Sequence, residues 1–225
     1  MIRALIFKEW LKIRWAFLAI LIFSVLILVM IALNIAYDMR MMTPKNSWYY
    51  VIFRHQIFYS SILAIPLISG FILGIVQFYP EINASRLKLT LHLPMKTNTI
   101  LLTMVAIGVA MLLIIYLTTM TIVSAITLNF YPMEVFVSLW ITTAAWFLAG
   151  LVIYLATGMI FVEPRWWQRI FMMIVSAGFV STLLISPSNG GYNQYEHALP
   201  LFTLFSIFYI ISILYSADRF RKGVR

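Results

Sequence analysis

Six membrane-spanning α-helices, with both termini on the cytoplasmic side, are the architecture expected of this 225-residue chain. Composition, the spacing of charged residues and the placement of the basic ones all lead there. A soluble domain carries about 25% charged residues, whereas this chain has 10% and is 63% hydrophobic. A chain of this size still exposes a large share of its surface when folded, so most of its solvent must be lipid. The stretches between successive charges fall into two classes. Six are longer than 20 residues, namely Trp15–Tyr37, His55–Pro80, Thr97–Met133, Val135–Val162, Ile170–Tyr195 and His197–Ala217, and the others are eight or shorter. About 20 apolar residues of helix cross a hydrocarbon core of about 30 Å. With the N-terminus inside, thirteen basic residues face the cytoplasm and only Arg40, Lys45 and Arg54 face out, which satisfies the positive-inside bias.

Trimmed by turn signals, the windows predict a single transmembrane domain over residues 1–225. Its spans are about 15–37, 57–78, 99–128, 135–161, 170–185 and 199–217. Asn129 and Pro132 end the long third span, and Ser186-Pro187-Ser188-Asn189-Gly190-Gly191 is a turn cluster that cuts the fifth short. Trp15, Trp48, Trp166 and Trp167 fall at expected membrane edges, where aromatic belts form. The apolar stretch near the N-terminus is too long for a cleavable signal peptide and no A-x-A site follows it. Such a chain belongs in the cytoplasmic (inner) membrane as a multi-pass protein in contact with lipid. Its net charge of +9 reflects topology and not a nucleic-acid partner.

Ahead of the first span, Ile2, Ile6, Trp10 and Ile13 gather on one side of a helical wheel with Lys8 and Lys12 opposite. This predicts either an N-terminal interfacial helix or a simple basic anchor. Between the second and third spans, residues 81–94 read EINASRLKLTLHLP. Leu87, Leu89, Leu91 and Leu93 alternate with polar residues, as in a strand. Wound as a helix, the segment has two apolar stripes, suited to an element wedged between the membrane domain and a partner, with Pro94 ending it.

This segment resembles the permease subunits of ABC-2-type exporters, in which a pattern like E-x-x-x-G-T-L-x-L-L-L-x-x-P follows the second span. Glu81 and Pro94 match its ends and Leu87, Leu89 and Leu91 its leucines, while Ser85 and Arg86 stand in place of Gly-Thr. The opening Phe7-Lys8-Glu9-Trp10-Leu11-Lys12 and the closing Arg219-Phe220-Arg221-Lys222-Gly223 are similar to the basic ends of that family. The resemblance implies a short coupling helix that docks on a separate cytoplasmic ATPase. In that reading Glu81, Arg86, Lys88 and His92 form the polar part of the contact, with Leu87 and Leu91 as apolar anchors. It further implies a dimer with a second permease copy or paralogue, and ATP and Mg bound in the partner ATPase. The chain itself has no G-x-x-x-x-G-K-[ST] phosphate loop. It is therefore expected to be a transport subunit, not an enzyme, with no catalytic residues and no cofactor of its own.

Other candidates are weaker. Arg165 and Arg169, in the short basic segment 163–169, form either a second partner contact or a topology signal. Gly70 and Gly74 form a GxxxG pair suited to helix packing or a dimer face. Thr118, Thr119 and Thr121 are expected mainly to bond carbonyls one turn back. His55, His92 and His197 are scattered over span edges, so no metal site is expected, and the absence of cysteine removes thiolate chemistry. No mid-membrane carboxylate stands ready for ion coupling, which favours an external energy source over a stand-alone carrier. A non-transporting scaffold or assembly component is the other alternative.

Overall fold

The computed structural model describes residues 2–41, 44–54, 56–83, 97–184 and 199–222. The elements are α1 (Ile2–Met41), α2 (Pro44–Ile52), a 3-10 turn (Ser60–Leu63) leading into α3 (Ala64–Asn83), α4 (Thr97–Phe130), α5 (Met133–Val162), α6 (Trp166–Leu184) and α7 (Leu199–Lys222). No strand occurs among the described residues. Six of these helices, counting the 3-10 turn with α3, are long and apolar enough to cross a membrane. The chain is an all-helical, multi-pass membrane protein.

α5 is the hub of the bundle. Its spanning window is 67% buried, against 11% for α6 and 17% for α7. A helix that is apolar all round has to be enclosed by its neighbours, and α5 achieves this with small side chains. Ala145, Ala149, Gly150, Ala156, Thr157 and Gly158 are all buried along it. α3 lies closest to α5, and α6 and α7 pack on it as well, while α1 packs on α3 and α4. A methyl group at Gly70 would collide with the Gly150 carbonyl oxygen. One at Gly74 would come within 2.7 Å of Thr157 Cβ. The GxxxG pair therefore faces α5 of the same chain, where it lets two backbones approach closely.

α1 corrects one expectation. Residues 2–14 do not form a separate interfacial helix; they continue without a break into a 40-residue helix about 60 Å long. The reason lies in its buried positions: Leu5, Glu9, Ile13, Phe17, Ile20, Ser24, Leu28, Ile31 and Ile35. Steps of three and four residues place these on one continuous stripe. The apolar face drawn from Ile2, Ile6, Trp10 and Ile13 is split, with Ile2 and Ile6 48% and 43% exposed and Ile13 fully buried, and the helix turns Glu9 inward beside Ile13.

Pro80 and Pro164 have opposite effects on their helices. α3 runs on through Pro80 to Asn83, which places Glu81 in its last turn. α5 stops before Pro164, with Glu163 in an extended conformation (φ −66°, ψ 125°) and its N–H donating to the Met159 carbonyl at 3.0 Å. A residue before proline is pushed out of the helical region, and only Glu163–Arg165 separate α5 from α6. Trp166, Trp167 and Arg169 consequently lie in the first turn of α6, not in a loop. With those residues included, α6 has 19 residues, about 28 Å of helix. At the opposite end of the bundle, Trp48 Nε1 of α2 donates to the Phe130 carbonyl at 2.9 Å, covering the C-terminus of α4. The threonines of α4 bond backward as expected: Thr118 and Thr119 to the Ile115 carbonyl at 2.8 and 2.7 Å, and Thr121 to that of Leu117 at 2.7 Å.

The glycine seam gives a contrast that can be measured. Gly70→Ala should destabilise the detergent-purified protein by about 1–3 kcal/mol, because the clash is with backbone. Gly178→Ala, at a position on α6 with open space around it, should be neutral or stabilising by up to about 1 kcal/mol. Thermal unfolding of both variants checks this; equal effects would contradict the seam.

Candidate functional site: a buried polar network

Among the described residues, a charged interior region lies where the N-terminal part of α1 meets the C-terminal end of α3. Glu9 is fully buried, on the stripe that α1 turns inward, and Glu81 is 1% exposed in the last turn of α3. Lys12, one turn beyond Glu9, bridges them: Nζ lies 2.9 Å from Glu9 Oε1 and 2.8 Å from Glu81 Oε1. It also makes a long 3.5 Å contact with the Gln77 carbonyl oxygen. Lys8 adds a second ammonium 3.0 Å from Glu81 Oε1. Two carboxylates and two ammonium groups thus balance at a place where an unpaired charge would be costly.

The network continues towards the bundle centre through neutral groups. Gln77 Nε2 donates to Glu9 Oε2 at 3.1 Å and to the Met104 carbonyl at 2.7 Å. Tyr154 of α5, fully buried, donates to Gln77 Oε1 at 2.7 Å and lies 3.4 Å from the Val105 carbonyl oxygen. Gly108 of α4 makes room for this hydroxyl: a methyl group there would collide with both Tyr154 and Gln77. Four helices, α1, α3, α4 and α5, therefore share one connected set of hydrogen bonds. In a lipid environment, groups that find no water must be satisfied internally in this way.

A second carboxylate organises the neighbouring helices. Glu163, fully buried after α5, accepts from Ser216 Oγ of α7 at 2.6 Å and lies 3.4 Å from Arg219 Nη1. Arg169 Nε of α6 donates to the Glu163 main-chain carbonyl at 2.6 Å. Arg219 also reaches Gln168 Oε1 and, at 3.1 Å, the Tyr215 hydroxyl. α5, α6 and α7 are joined at this point. α3 and α5 run parallel, since Gly70 meets Gly150 and Phe78 meets Gly158, so both clusters occupy the same end of the bundle.

The sequence-derived candidates divide sharply. Glu81 is turned into the bundle, against Lys8 and Lys12. Arg86, Leu87, Lys88, Leu91 and His92 lie outside the described residues, as do His55 and His197. Arg165 is exposed at the α5–α6 turn, whereas Arg169 is partly buried and committed to the Glu163 carbonyl. Gly70 and Gly74 belong to the α3–α5 seam. Among the described residues no three His, Cys, Asp or Glu side chains group as a metal site.

Sequence reasoning did not single out Gln77, Tyr154, Glu9 or Lys12 as a site. The available signals were a Glu–Lys pair at i, i+3 in an apolar helix and a lone amide one turn before Glu81. No family model, curated protein or solved structure matches the chain.

Lys12→Met should leave Glu9 buried beside too little positive charge and cost about 3–5 kcal/mol. The double variant Glu9→Gln/Lys12→Met should recover at least half of that loss, because neighbouring residues of one network are not additive. A single variant as stable as the wild type would show that the pair contributes nothing to the fold.

Proposed function

We propose that this chain is the membrane-spanning permease subunit of an ATP-driven exporter of the ABC-2 type. In this reading it lines a path together with a second permease, a copy or a paralogue, and takes its energy from a cytoplasmic ATPase that binds ATP and Mg. The observation that carries the proposal is the anchoring of Glu81. That residue heads the segment resembling the family's coupling helix, and Lys8 and Lys12 tie it to α1, Gln77 and Tyr154. A push from the ATPase on residues 82–94 would thus act on a clamped root and be passed to four helices at once.

Glu81 then serves as a positioning residue for the docking segment. The outward contact falls to Arg86, Leu87, Lys88, Leu91 and His92, with Arg165 at the neighbouring turn as a second point. The bias of basic residues supports a cytoplasmic location for this end of the bundle. The absence of a phosphate loop from the sequence fits hydrolysis in a partner.

Extraction of the tagged protein from its native membrane in mild detergent, followed by mass spectrometry, tests the reading. A near-stoichiometric soluble subunit bearing a phosphate loop is expected. Leu87→Asp/Leu91→Asp should weaken its retention on the order of 100-fold, the loss corresponding to two buried leucine anchors, with membrane insertion unchanged. If no ATPase follows the wild-type chain even after crosslinking, the protein is a scaffold or a stand-alone carrier. Gradient-driven flux through the purified chain would then separate those two.

A further inference from the structure

α6 and α7 both lean on α5 but leave a cleft between them. Its inner wall is Met159 of α5; Phe171 and Val175 of α6 face Phe208 and Ser212 of α7 across it, enclosing about 530 Å³. Phe179 closes one end, with its ring 5.6 Å from that of Phe202 and 6.2 Å from that of Tyr209. The Glu163–Ser216–Arg219 cluster closes the other, since Ser212 lies one turn from Ser216 and Met159 one turn from Glu163. Phe171 and Phe208 are 68% and 63% exposed, so the mouth opens sideways towards the surrounding membrane.

Beyond one end of this cleft the described basic side chains are Arg165, Arg169 and Arg219, beside Glu163 and Asp218; Arg169 and Arg219 are engaged with Glu163. Arg165 is exposed immediately before α6, and its guanidinium makes no hydrogen bond or ion pair with another described residue. Trp166 and Trp167, 65% and 81% exposed, stand beside it as interfacial aromatics do. The N-terminus of α6 adds a partial positive charge at the same place.

We propose that this cleft is a binding site for an anionic phospholipid, with one acyl chain between α6 and α7 and the phosphate at Arg165 and the start of α6. Basic pockets between membrane helices recognise anionic headgroups through this combination of charge and depth. The cleft runs from Phe171 to Phe179, roughly 12 Å along α6, and apart from Ser176, Ser212 and Tyr209 its lining is wholly apolar, as an acyl chain requires. The site rests on the membrane-spanning fold alone and is independent of the ATPase-driven reading.

Native mass spectrometry and thermal unfolding of the purified full chain, with dioleoyl phosphatidylglycerol, dioleoyl phosphatidylcholine or inorganic phosphate added, test the proposal. Phosphatidylglycerol should be retained and should raise Tm, at least about fivefold more tightly than phosphatidylcholine, the factor expected of one basic residue near a headgroup. Arg165→Gln should lower phosphatidylglycerol affinity about fivefold and leave phosphatidylcholine unaffected. Ser212→Trp, which fills the cleft, should abolish the lipid-dependent shift; Val175→Trp is the substitute if that variant does not fold. Equal retention of the two lipids, a shift reproduced by phosphate, or undiminished binding in a folded filled-cleft variant would overturn the site. So would disulfide-linked dimers of Ser212→Cys in native membranes, since the chain has no other cysteine and the link would place a second copy over the cleft.

Discussion

How closely α3 and α5 approach at Gly70 and Gly150 decides what the charged end of the bundle can be. With side chains at either position the two backbones would separate, and Tyr154, one turn beyond Gly150, would move away from Gln77. The hydroxyl of Tyr154 supplies Gln77 Oε1 with its donor, which leaves the amide nitrogen to serve Glu9 and the Met104 carbonyl. Glu9 in turn shares Lys12 with Glu81. A contact between two glycines therefore settles, through three side chains, where the last turn of α3 stands.

The reason such a chain of dependence exists is the solvent. In lipid, apolar side chains gain nothing by facing one another instead of the membrane. Close packing and satisfied polar groups then hold the helices together. This explains why α1 buries Glu9 while Ile2, Ile6 and Phe7 point outward. Burial of the acid is tolerated because its partners are all present; removal of one would strand the rest. It also accounts for a helix that continues past Pro80. The turn containing that proline carries Glu81, and two lysines of α1 hold it in place.

The number of helices long and apolar enough to span was legible in the spacing of charges, because an 18- to 20-residue apolar helix is itself a consequence of bilayer thickness. The packing of the GxxxG pair was legible as one of two options, and only the position of Gly150 and Thr157 on α5 chose between them. The direction in which α1 turns was not legible. A wheel built on hydrophobicity grouped Ile2, Ile6, Trp10 and Ile13 against Lys8 and Lys12, whereas the bundle buries Ile13 with Glu9 and leaves Ile2 and Ile6 exposed. Gln77 and Tyr154 were visible as polar residues in apolar windows, but they are 77 residues apart in sequence. Their pairing follows from α3 and α5 lying side by side in parallel, which no local pattern states. Pro80 and Pro164 have the same local chemistry and opposite outcomes; the difference is what each following or preceding carboxylate can reach.

The two carboxylates at this end make the bundle mechanically asymmetric. Glu81 binds the end of α3 to α1 and, through Gln77, to α4 and α5; Glu163 binds the end of α5 to α6 and α7. α5 alone belongs to both sets, and it is also the most enclosed helix. A displacement of Asn83, at the end of α3, bears on the first set and on α5, the helix on which both α6 and α7 pack. One entering at Glu163–Arg165 reaches α6 and α7 directly, where the helices have few neighbours to resist it. The cleft between α6 and α7 therefore sits on the compliant side of the molecule, and whatever fills it stiffens the two least enclosed of the spanning helices.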